Sequence, residues 1–191
     1  MEKKTLKIAI LGWGSLLWEG GSEFDALHET WQYDGPSLKI EFSRVSATRL
    51  GALTLVIDEK HGSATTVAWC LSKRAKIEDA AEDLRCREGT TNENIKVLVL
   101  DGEPFDAAKQ NPIETWAREK KLDAVVWTGL KGNFSEKVKE PFSVKAALAY
   151  LQKLPPAGKA KAAEYVWRAP EFVKTALRAE LQQEPWFSKA E

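Results

Sequence analysis

Cysteine and histidine are scarce in this chain, with two of each among 191 residues. Cys70 and Cys86 fall in separate expected elements and form no Cys-x-x-Cys pair, so neither a zinc site nor a dithiol redox motif can be built from them. His28 and His61 are equally isolated, which leaves a His/Cys metal centre or a hydrolytic triad without support. The resulting expectations are a reduced, cytoplasmic setting and no metal or other cofactor. An excess of one charge is missing too, since 28 Lys and Arg balance 28 Asp and Glu. Such a chain has no field to attract nucleic acid or an anionic membrane, and a small neutral or zwitterionic partner fits it better. Long apolar runs are absent. The stretch up to Trp18, preceded by Lys3, Lys4 and Lys7, faintly resembles a secretory signal. Two glycines and a serine interrupt it, no small-x-small cleavage site follows, and it is too short to span a bilayer. There is no internal repeat and no low-complexity tract, and 155–161 is the only linker-like segment.

What is present suits one domain over 1–191, long enough to bury about 70% of its unfolded surface. Tryptophan is abundant, at eight residues, and most of these rings are expected to plug the core. Alternation and turn signals predict strands at 6–10, 38–42, 52–57, 65–71, 95–100 and 124–127. The links at 49–51 and 59–63 read as hairpin turns, making the middle strands an antiparallel meander. Phe24, Leu27 and Trp31 predict a short helix or ordered loop. Helices are expected over 76–88, from Asn111-Pro112 to about Lys121, and over 143–154, 159–168 and 171–182. Irregular mixing of strands and helices predicts an α+β fold, a curled or barrel-like mixed sheet of about six strands with helices outside and a helical C-terminal portion from about 143 to 191.

The first strand runs into Gly12-Trp13-Gly14-Ser15-Leu16. Gly12 and Gly14 permit positive φ or a close backbone approach, and Ser15 adds a hydroxyl, so this loop can cradle an anion. A plain tight turn with aromatic plugs explains the same residues. A dinucleotide fingerprint does not, because Leu17 stands where a third glycine is needed and Gly20-Gly21 breaks the following helix.

In the helix over 76–88, Ile77, Ala81 and Leu84 form one stripe whose next member is Glu88. A carboxylate on a buried face at the negative end of the helix dipole has its ionised form disfavoured twice, the direction a general acid/base near neutral pH requires. The alternative is a helix-end residue in solvent, paired to Arg85. Asp83 and Arg87 are spaced as a supporting ion pair, Cys86 reads as a small buried hydrophobe, and Arg49 as a turn arginine able to meet a carboxylate.

Trp13-Gly14-Ser15-Leu16 resembles the Tyr-Gly-Ser-Leu signature of the γ-glutamylcyclotransferase-like proteins, including their ChaC-type branch. Arg87-Glu88-Gly89 is similar to that family's helix-end segment. The chain departs from the pattern at Trp13, where tyrosine is usual, and at Thr90, where an aromatic residue often follows the glycine. The two motifs fall within residues 6–100. The resemblance implies a γ-glutamylcyclotransferase-like fold and a cofactor-independent enzyme that cyclises a γ-glutamyl group to 5-oxoproline with release of an amine. It implies Glu88 as general acid/base and Gly12, Trp13, Gly14, Ser15 and Leu16 as the loop that holds a small γ-glutamyl substrate. A non-catalytic ligand-binding or protein-interaction module with the same fold is the alternative.

Overall fold

The computed structural model describes residues 5–19, 21–100 and 111–187. Lys3, Lys4, Gly20 and the end of the expected helical tail, 188–191, lie outside the described residues. Those described form a mixed α+β fold of seven strands in two open sheets and seven helices. Among them, no helix is long and apolar enough to cross a membrane. They group into two units, one of residues 5–12, 19, 21–37, 66–100 and 111–129 and the other of residues 13–18, 38–65 and 130–187.

The first unit holds α1 (Ser22–Ala26), α2 (Ile77–Glu88), α3 (Pro112–Glu119) and a four-stranded sheet. In order across that sheet the strands are β5 (Ala68–Leu71), β1 (Ile8–Gly12), β7 (Ala124–Thr128) and β6 (Ile95–Val99). β1 runs antiparallel to β5, with Ile10 opposite Cys70, and parallel to β7, with Ile10 opposite Val126. A central strand covered on both faces has no polar side to show, and all five residues of β1 are buried. α2 packs on β1, β6 and β7 through the fully buried Ala80 and Leu84. Gly89 stops it in a left-handed C-cap at φ 58°, as expected of glycine just past a helix end. Asn111 caps α3 by accepting from the Ile113 N–H, and Pro112 fills the first helical position.

Two tryptophans of this unit meet at Asp34. The indole N–H of Trp69 donates to its carboxylate at 2.8 Å and that of Trp116 to its carbonyl at 3.0 Å, while the rings touch edge to face. Lys120 donates to the same carboxylate, and these hydrogen bonds, that of Lys120 first, hold Asp34 below the usual carboxylate range.

The second unit is built on a three-stranded sheet, β3 (Leu53–Ile57), β2 (Ser37–Val45) and β4 (Ser63–Thr66) in that order, with α4 (Phe134–Val138), α5 (Val144–Lys153), α6 (Pro156–Arg168) and α7 (Ala176–Leu181). Glu41 on β2 has no exposed surface. Its carboxylate accepts from the Phe42 N–H at 2.8 Å, from the Leu177 N–H at 3.3 Å and from the Thr175 side chain, tying the strand to the first turn of α7. Arg178 is also buried and donates to the carbonyls of Ala169, Pro170 and Val173, so the approach to α7 is held as a fixed turn.

Several expectations are corrected. The run 65–71 is not one strand. It divides at Val67, whose N–H donates to the Pro36 carbonyl, and β4 and β5 enter different sheets. There are accordingly seven strands in two open sheets rather than about six in one curled sheet. The meander is not formed either, because β4 lies beside β2 and not β3. The link at 49–51 is a hairpin turn with Leu50 and Gly51 at positive φ, but 59–63 joins strands that are not neighbours, its start fixed by Asp58 accepting from the Lys60 and His61 N–H groups. Residues 155–161 are no linker, since α6 begins at Pro156, a residue that favours the first helical position. The helix expected over 171–182 shrinks to Ala176–Leu181 because Arg178 and Thr175 fold the preceding residues into their turn.

Candidate functional site

Gly12 ends β1 in the first unit, and Trp13, Gly14, Ser15 and Leu16 belong to the second. Ser15–Leu17 is a single 3-10 turn, closed by the Leu17 N–H on the Gly14 carbonyl and the Trp18 N–H on the Ser15 carbonyl. The turn itself does not use the N–H groups of Ser15 and Leu16, the donors such a loop can offer to an anion. Trp13 and Leu16 are buried, while Gly14 and Ser15 are half-buried.

Gly14 has φ −121°, which any residue tolerates, so conformational freedom is not why glycine stands there. Close approach is. A Cβ on Gly14 would lie 2.7 Å from the hydroxyl oxygen of Tyr165 on α6. Tyr165 is 4% exposed. Trp18 meets its ring edge-on at 5.2 Å between centroids, and Phe42 does so at 6.2 Å. The Arg49 guanidinium sits 4.9 Å from the ring centroid, a cation–π contact. Arg49 is therefore a half-buried arginine seated on the tyrosine that touches the glycine loop, and Arg168 on the same helix donates to the Trp18 carbonyl. Sequence reasoning missed Tyr165. In the sequence it is one apolar-face residue of a C-terminal helix, and no spacing links it to the loop at Gly14.

Glu88 is the last residue of α2 and is half-buried. Gly89 and Thr90 close the helix end, the Thr90 N–H donating to the Arg85 carbonyl. Thr90 also explains itself locally: its carbonyl accepts from Arg85 and its hydroxyl from the Asn94 amide, fastening the helix exit to the turn at Asn92–Asn94. Arg85 directs its Nε and Nη2 onto Glu82 at 2.7 Å each, a forked pair that holds Glu82 ionised, its pKa lowered to about 2.

Two neighbouring expectations change. Asp83 does not take up Arg87. It receives a fork from Arg74, at 2.7 and 2.9 Å, while Arg87 donates to the Glu19 carbonyl. Cys86 is exposed rather than buried, because it lies on a different helix face from Ala80 and Leu84. Its thiol donates to Glu82, and that hydrogen bond pushes the thiol pKa up. Cys70 is the buried cysteine, its thiol pushed up by desolvation. Among the described residues, no group of three His, Cys, Asp or Glu side chains is placed to hold a metal ion. No family model matches the chain, and no curated protein matches it.

Proposed function

We propose that the chain is a γ-glutamylcyclotransferase-like enzyme acting on a small γ-glutamyl substrate in the cytoplasm, with that family's fold and with no role for nucleic acid. In this reaction the substrate's α-amino nitrogen attacks its own γ-carbonyl carbon. A new C–N bond closes the five-membered ring, the C–N bond to the leaving amine breaks, and the products are 5-oxoproline and the free amine. Glu88 takes the proton from the attacking nitrogen and returns it to the departing one. The Gly12–Leu16 loop holds the polar end of the substrate and offers backbone N–H groups to the carbonyl oxygen as it becomes negative. Because the attack is intramolecular, holding one reactive conformer supplies much of the acceleration. A carboxylate and backbone donors suffice for every step.

The observation that supports this reading most is the state of Glu88. It is half-buried at the end of a twelve-residue helix that a left-handed glycine stops at the residue after it. The reading is tested by incubating the protein with γ-glutamyl dipeptides, γ-glutamyl amines and glutathione and measuring 5-oxoproline. Release from at least one of them is expected. No release from any of them sets the cyclotransferase reading aside in favour of a non-catalytic module.

A further inference from the structure

β6 is the outer strand of the four-stranded sheet, and its backbone parity is readable from its partner. The Leu100 N–H donates to the Asp123 carbonyl, and the Asn94 carbonyl accepts from the Gly129 N–H. The register continues this pattern through Lys96 opposite Trp127 and Leu98 opposite Val125. Hydrogen-bonding direction alternates along an antiparallel ladder, so these even positions serve β7; Val97 and Val99 turn their N–H and C=O groups outward and Ile95 its C=O, while the Ile95 N–H donates to the Asn92 carbonyl in the preceding turn. Among the described residues no further strand pairs with that edge.

The side chains of the same three residues share one face, and that face carries α2. With Ile77 they line a groove of about 610 Å³ between the strand and the helix. Val97 and Val99 are 45% and 48% exposed there, unusual for valines in a sheet. The opposite wall is acidic: Glu78, Asp79 and Glu82 line it, and among the described residues no lysine or arginine does, although Arg85 reaches Glu82 from outside the groove, so Glu78 and Asp79 carry its charge. A second copy of the chain paired edge to edge would bring the same valines but also double the carboxylates of Glu78 and Asp79. An added strand whose groove-facing positions are Lys or Arg meets both demands. The aliphatic stems would lie on Val97 and Val99, and the charged heads would reach the carboxylates.

We propose that the outer edge of β6 is a docking site for an extended, Lys/Arg-alternating segment of a partner protein, added as a fifth strand beside the α2 groove. Main-chain hydrogen bonds to Val97 and Val99 and to the Ile95 carbonyl give affinity, and the acidic wall selects charge. The site is independent of Glu88 and of any 5-oxoproline activity.

The test uses fluorescence anisotropy with a labelled, end-capped peptide alternating Thr and Lys, and the same peptide with Glu in place of Lys. The Lys peptide should bind, weaken as salt is raised, and lose on the order of tenfold in affinity to the Glu78→Lys/Asp79→Lys variant. N-methylation of one alternating set of its residues should abolish binding, whereas methylation of the other set should not, the signature of strand addition. The proposal is overturned if the Lys peptide does not bind, if the Glu peptide binds as well, or if both methylated sets behave alike. Sedimentation of the protein alone as a dimer that the Lys peptide fails to dissociate also overturns it, because a second copy then holds the edge.

Discussion

Replacing Gly14 by alanine is a sharp perturbation of the loop, because the obstacle is a single atom. The added methyl would lie 2.7 Å from the Tyr165 hydroxyl oxygen, where ordinary contact begins at 3.4 Å. The tyrosine has little room to retreat. Its ring is held edge-on by Trp18 and Phe42, carries the Arg49 guanidinium, and is 4% exposed. Overpacking a boxed site of this kind costs about 1–3 kcal/mol. Each kcal/mol lowers Tm by about 2–4 °C in a chain of this size, so Gly14→Ala should melt about 2–12 °C lower. Tyr165→Phe removes the obstructing oxygen at the cost of the hydroxyl's own hydrogen bonding, about 1 kcal/mol. The Gly14→Ala/Tyr165→Phe double variant should then be more stable than the sum of the single losses implies, by about 1–2 kcal/mol. Urea unfolding of the four proteins measures the coupling. A Gly14→Ala variant within about 0.5 kcal/mol of the parent, or strictly additive losses, would refute the idea that Tyr165 is why position 14 is glycine.

Other outcomes follow from the same geometry. Gly89→Ala should cost about 1 kcal/mol and Gly89→Asn less, both read by thermal melting. The residue sits at φ 58° with nothing within 4 Å of a new Cβ, so the penalty is conformational and not steric. Glu41 should leave a mark on the pH dependence of stability. Desolvation raises its pKa in the fold against the hydrogen bonds from Thr175, Phe42 and Leu177, so its contribution is present below the unfolded pKa and is lost as pH rises through the folded one. Glu41→Gln should therefore lose most relative to the parent at acidic pH and least above the folded pKa; a gap that widens with rising pH would contradict this.

The parts of the fold that were legible in the sequence are those set by local pattern. α2 was readable to within a residue because its apolar stripe and Gly89 agree, and β1 was readable as an element because its apolar run meets a glycine turn, although it runs over Ile8–Gly12 and not 6–10. Pairings that depend on distant partners were not. The run 65–71 is apolar enough for one strand, and periodicity cannot reveal that Val67 is where the chain leaves one sheet for another. Pro155-Pro156 signals both the end of one helix and the start of the next, and only the structure shows that the second proline opens α6. On α2, spacing offered Arg87 to Asp83, but Arg74 arrives from outside the helix with a two-point fork, a stronger geometry than an i,i+4 pair. For the candidate site, the Gly14–Leu16 loop and Glu88 stood out as local motifs. Tyr165 could not, since its relation to Gly14 exists only once α6 is folded against the loop.

The most direct test of the proposed chemistry is the steady-state rate of 5-oxoproline formation by Glu88→Gln beside the parent, on whichever γ-glutamyl compound the parent converts. Glutamine preserves size and hydrogen bonding but cannot take up and return the amine's proton. The loss should fall on kcat, by about 10²- to 10⁴-fold, with KM little changed and the protein still folded. If Glu88→Gln turns over as fast as the parent, Glu88 is a helix-end residue and not the general acid/base.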